Sequence, residues 1–175
     1  MAMKFLQRTS QSVKLSTRTF IFILTGALAV LFLVYDYDEI ISKPPQSVHA
    51  WRQADCATQA LNYAQRNEGF FRPQLHALVS NDYQTGHAMQ EFPIIYYVVG
   101  KLFNVFGHHD FLFRGTNLII FLAALYFLFG LYKKTIGDNF WSLGFTILLF
   151  TSPVLVFYAN NFILNTPAFA VTIIA

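Results

Sequence analysis

The chain has 175 residues, of which 55% are hydrophobic and only 12% charged, with a mean hydropathy of +0.43. Soluble domains carry about twice that share of charge, so the composition points to lipid as a solvent. A formal net charge of +3 is too small an excess to imply a nucleic-acid partner. The single cysteine, Cys56, excludes an intrachain disulfide.

In chain order, the first element is an apolar run over 19–35, preceded by Lys4, Arg8, Lys14 and Arg18. The run exceeds the usual apolar core of a signal peptide, about 15 residues at most, and no small-residue cleavage site follows it. It reads as an uncleaved signal-anchor span with a cytoplasmic N-terminus at 1–18, because basic residues stay on the cytoplasmic side.

Residues 36–110 read as one extracytoplasmic segment holding most of the acids and all five histidines. Within it, Ala54, Ala57, Leu61 and Ala64 recur at helical spacing and predict a juxtamembrane helix near 53–66, with Gly69 as its stop. Residues 70–86, containing Pro73, Asn81 and Gly86, read as loop. The apolar stretch Pro93–Gly107 is too short to span, since a crossing takes roughly 17 to 25 residues. Lys101 and Asn104 also interrupt it. Its aromatic residues predict a second juxtamembrane helix near 93–106, lying at the membrane surface.

Two further spans are expected at 111–132 and 140–158, joined by a cytoplasmic loop at 133–139. An extracytoplasmic loop at 159–166 leads into the start of another span at 167–175. This places Lys133 and Lys134 inside, as positive-inside topology requires. The expected fold class is therefore an all-α polytopic membrane protein with about four transmembrane helices and two juxtamembrane helices. The chain stops inside an apolar run, so the expectation is the N-terminal fragment of a longer protein.

Three places concentrate polar chemistry. His49-Ala50-Trp51-Arg52-Gln53-Ala54-Asp55 follows the first span; a carboxylate there can act as a general base toward a hydroxyl, or Asp55 can simply cap the following helix. Gln90-Glu91-Phe92-Pro93 opens the second helix, where Glu91 suits either a helix dipole or a site shared with Asp55. Arg114 stands at the outer end of a span, suited to lipid headgroups or to phosphate oxygens. The histidines His49, His76, His87, His108 and His109 form no metal-ligand motif, and no nucleotide-binding glycine loop or serine elbow is present.

Together these pieces resemble the N-terminal part of the GT-C membrane glycosyltransferases. The nearest group is the dolichyl-phosphate-mannose protein mannosyltransferase and lipid A aminoarabinose transferase superfamily. The matching features occur in order. They are an N-terminal span, Arg52-Gln53-Ala54-Asp55 before a short helix, and Glu91-Phe92-Pro93-Ile94-Ile95-Tyr96-Tyr97 opening a second helix. Phe113-Arg114-Gly115 then opens the next span, and Thr151-Ser152-Pro153 comes late in another. The resemblance implies an inverting transfer of a hexosyl or pentosyl group from a polyprenyl-phosphate donor to a lipid, glycan or protein acceptor, at the bacterial inner membrane. It implies Asp55 as catalytic base, Glu91 as its catalytic companion, and Arg52 and Arg114 as ligands of the donor phosphate. His49 and Asn165 would support them. The sequence demands no cofactor or metal, though a divalent cation is compatible with the chemistry. Asn165 stands where such proteins often carry an acid, and Cys56 follows Asp55 where some carry an acidic pair. The competing reading is a non-catalytic membrane protein or an inactive truncated fragment. The expected span interiors hold no charged residue, which argues against an ion-coupled transporter.

Overall fold

A computed structural model describes residues 16–175 except Asn67, Val79, Met89 and Gln90; Lys4, Arg8 and Lys14 lie outside the described residues. The described residues form eight helices: α1 (Thr17–Val34), α2 (Tyr37–Ile40), α3 (Ala50–Gln65), α4 (Ile94–Phe106), α5 (Asp110–Ile136), α6 (Asn139–Phe150), α7 (Pro153–Ala159) and α8 (Asn165–Ile174). The only strand-like pairings among them are two isolated bridges, Gln74 with His87 and Ser80 with Thr85. They pin the segment expected as plain loop into a small excursion. Leu75 donates to the Gly86 carbonyl at 2.7 Å.

Two helices, α1 and α5, are long and apolar enough to cross a membrane. At 18 and 27 residues and ~1.5 Å per residue they reach roughly 27 and 40 Å. The Ser16 hydroxyl caps α1 by accepting from the Thr19 amide. Gly137, in the left-handed region at φ +76°, closes α5 beside Lys133 and Lys134; cations suit this negative end of the helix dipole. The two run antiparallel. Thr25 bonds Tyr126 at 2.8 Å, and Lys133 Nζ donates to Thr17 Oγ1 at 2.5 Å.

The expected third span is not one straight rod. Asp138 caps α6 through the Trp141 amide, but the helix stops at Phe150. Pro153 starts α7 at 69° to it. Proline has no amide hydrogen to continue the ladder and crowds the preceding turn. The final helix α8 is only ten residues long. It packs along the first half of α5, where Asn117 donates to the Asn161 carbonyl at 2.8 Å.

One apolar core, including Leu24, Leu28, Phe121, Leu125 and Phe150, joins α1, α5 and α6. A second forms at the end where α1 finishes and α5 begins. There α3 and α4 pack as a hairpin through Cys56, Ala60, Tyr63, Tyr96 and Val99, resting on Phe113 and Phe162. The contact depends on Gly100. A Cβ there would meet Tyr63 Cβ at 2.7 Å and the Ala60 carbonyl at 2.8 Å, so the backbones approach as closely as they do only without a side chain.

Gly100→Ala therefore overpacks the hairpin, at a cost of about 1–3 kcal/mol. Denaturant unfolding in micelles should show that loss, whereas Gly144→Ala, which meets nothing within 4 Å, should show none.

Candidate functional site

The α3–α4 hairpin gathers the polar residues. Arg52, Cys56 and Tyr63 fall at helical spacing on the side of α3 that faces α4. Helix α3 begins at Ala50 with His49 before it in the left-handed region, φ 57°. Asp55 thus lies well inside the helix and does not cap it, because the helix starts five residues earlier. Glu91 does not cap α4 through its side chain either. It turns toward α3, where Arg52 Nη2 donates to its Oε1 at 2.5 Å. The Tyr96 hydroxyl donates to its other oxygen.

That hydroxyl also lies 3.3 Å from Cys56 Sγ. A continuous polar chain thus runs Arg52–Glu91–Tyr96–Cys56. Its two ends differ in access: the Arg52 and Glu91 side chains keep 19% and 30% of their surface exposed, while Tyr96 and Cys56 are fully buried. Burial pushes the Cys56 thiol up to about 11, against the lowering effect of the Tyr96 hydrogen bond and the Arg52 charge. Burial, with Cys56 and Glu91 beside it, likewise raises the Tyr96 phenol. Both groups are therefore neutral at physiological pH.

Asp55 is half-buried and three residues after Arg52. It directly precedes Cys56, one turn of α3 from Arg52. Among the described residues its carboxylate enters no salt bridge. The two acids therefore differ chemically: both oxygens of Glu91 are committed to donors, whereas Asp55 keeps lone pairs available for a proton.

Other expected residues distribute as follows. Asn165, at the start of α8, shares with Glu91 a groove of about 380 Å³ that also runs past Phe92, Ile95, Leu164 and Pro167. His49 is exposed and stacks on Tyr158 with ring centroids 6.5 Å apart. Arg114 is only 2% exposed and belongs to a different cavity, whose lining has no residue in common with the Glu91 groove. Its Nε donates to the Lys43 carbonyl at 2.9 Å, Nη1 to Asn160 at 2.6 Å and Nη2 to Pro44 at 3.1 Å. Its guanidinium also lies 4.5 Å from the Phe162 ring centroid. Sequence reasoning brought Asp55, Glu91 and Arg52 together but set Arg114 beside them, and it missed Tyr96. Tyr96 reads in sequence as one aromatic of an interfacial helix; its bond to Glu91 is local, five residues apart, and the approach of α3 adds Cys56 beside it. Among the described residues, no group of three or more His, Cys, Asp or Glu side chains is arranged to hold a metal ion.

An infrared titration of the S–H stretch of Cys56, the chain's one thiol, tests the buried end of the chain. The band should persist at the ordinary thiol value of 9.0 and fade only near 11; loss below 9.0 would contradict the burial described. The chain matches no protein-family model, no curated protein and no solved structure.

Proposed function

We propose that the chain is the N-terminal part of a GT-C-type membrane glycosyltransferase that moves a sugar from a polyprenyl-phosphate donor to an acceptor on the extracytoplasmic side of a bacterial inner membrane. The observation that supports this most is the Arg52–Glu91 pair, one turn of α3 from an Asp55 that enters no salt bridge among the described residues. The cluster stands at one end of two helices long enough to span a bilayer. A cation beside a free carboxylate is what the reaction needs where a lipid-anchored donor meets its acceptor.

In this reading Asp55 accepts the proton of an acceptor hydroxyl or amine. The acceptor atom bonds to the anomeric carbon as the carbon–oxygen bond to the polyprenyl phosphate breaks, and the configuration inverts. Charge developing on the departing phosphate is met by the Arg52 N–H groups that Glu91 leaves unused; a preoriented cation stabilises such charge without reorganising. Glu91 positions Arg52, and the Tyr96 hydroxyl fixes Glu91. Asn165, across the groove from Glu91, supplies a hydrogen bond to a sugar hydroxyl.

Sugar transfer by the full-length protein tests the assignment. Asp55→Asn should lower turnover by ~10²–10⁴-fold, the usual worth of a general base. Glu91→Gln should chiefly raise the donor KM, because Arg52 loses its anchor. Unchanged turnover in Asp55→Asn would remove Asp55 as the base. Topology has its own test: cysteines introduced as His87→Cys and Lys134→Cys, both at exposed positions, should label from opposite sides of the membrane. Labelling from one side would overturn the extracytoplasmic placement of the site.

A further inference from the structure

The cavity around Arg114 occupies about 620 Å³ between the end of α1, the 43–49 linker, the α6–α7 break and the loop before α8. Four features of it stand out. First, the Arg114 guanidinium is buried, meets three backbone carbonyls, and has no carboxylate within 4.0 Å among the described residues. Carbonyl dipoles satisfy some of its N–H groups without cancelling its charge, and a buried cation is costly unless a counter-charge is near. Second, Lys43 adds another cation to the wall, held only by a loose 3.9 Å contact with Glu39.

Third, two residues of the lining carry buried amide atoms that have no hydrogen-bond partner. Asn160, 3% exposed, has no partner for either Nδ2 or Oδ1; Gln53, 1% exposed, has none for Oε1. The Gln53 side chain cannot turn to change this. Its Nε2 donates to the Gln46 and Val48 carbonyls at 2.7 and 2.8 Å, which uses both amide hydrogens and leaves Oε1 as an acceptor in need of a donor. Fourth, an apolar groove of about 390 Å³ between α1, α5 and α6 runs past Phe32, Leu33, Leu122 and Phe150. Its lining adjoins that of the polar cavity in sequence at Leu33 and Tyr35 and at Phe150 and Thr151. The Tyr35 and Phe150 rings, one from each, pack edge to face.

We infer that this cavity is a resident site for a bilayer phospholipid whose headgroup joins a phosphodiester to a hydroxyl, as in phosphatidylglycerol, with an acyl chain in the adjoining groove. The phosphate meets Arg114 and Lys43 and accepts from Asn160 Nδ2; the hydroxyl donates to Gln53 Oε1. Asp110, four residues before Arg114 on α5, acts on it from beyond ion-pair distance, but no carboxylate lines the cavity beside the two cations, which favours a headgroup that is net anionic, so a hydroxyl serves better than an ammonium as the donor. The site is separate from the Glu91 groove and does not depend on the sugar-transfer reading.

Native mass spectrometry of the chain in micelles, with lipids added singly, is the test. Phosphatidylglycerol should remain bound, with phosphatidylethanolamine and phosphatidylcholine held several-fold more weakly. Asn160→Ala, which removes an amide that bonds nothing in the protein, should cut phosphatidylglycerol retention about tenfold and leave the melting temperature unchanged. Lys43→Gln should cut it to a similar degree. Equal retention of the three phospholipids, or retention insensitive to both variants, overturns the inference. So does displacement of the lipid by millimolar inorganic phosphate, or retention of polyprenyl phosphate alone, which would make the cavity a carrier site.

Discussion

Arg114 is the residue on which the polar end of the molecule depends. It enters from the first turns of α5 and bonds the carbonyls of Lys43, Pro44 and Asn160, with Phe162 against its guanidinium. One side chain thereby joins the linker after α1, the loop before α8 and the start of a span-length helix. Neither the linker nor the loop has a secondary-structure ladder there to satisfy these carbonyls. The Asn160 carbonyl, in a buried residue, would otherwise lack a donor at a cost of about 1–3 kcal/mol. The α3–α4 hairpin rests on Phe113 and Phe162, one residue before Arg114 and two after Asn160, so the position of the Arg52–Glu91 pair follows from the same anchor.

The structure consequently has two polar centres at one end, of different character. Around Glu91 the charges are paired and partly open to solvent, and neutral Tyr96 and Cys56 close the buried side. Around Arg114 the positive charge is buried and its neighbours are carbonyls and unpartnered amides. The first arrangement suits a reaction in which a carboxylate takes a proton beside a cation. The second suits holding an anion. The resemblance in sequence had put both arginines at a single phosphate, whereas Arg114 lines a cavity that Arg52's partner Glu91 does not.

Much of this was legible in the sequence where local rules decide. Apolar length located α1 and α5, and the alanine and leucine spacing located α3 to within three residues of its start. Pro93 and Gly107 bracketed α4 correctly. Helix α3 ends at Gln65, four residues before the Gly69 expected to stop it. The expected span over 140–158 ignored its own signal, since Thr151-Ser152-Pro153 breaks the helix and bends it by 69°. What could not be read were partners distant in sequence. Glu91 meets Arg52 across 39 residues, and Arg114 reaches Lys43 across 71. Gln53 and Asn160 look like ordinary helix and loop amides until the cavity they share is visible.

Arg114 holds the polar end together as one unit. Amide hydrogen exchange of Arg114→Gln in micelles tests it most directly. Amides opening α3 and α8, such as those of Gln53 and Ala168, should lose protection by at least about tenfold, as loss of one or two of these bonds requires. Those in the middle of α1 and α5 should keep theirs. An exchange profile unchanged at both helix starts would contradict it.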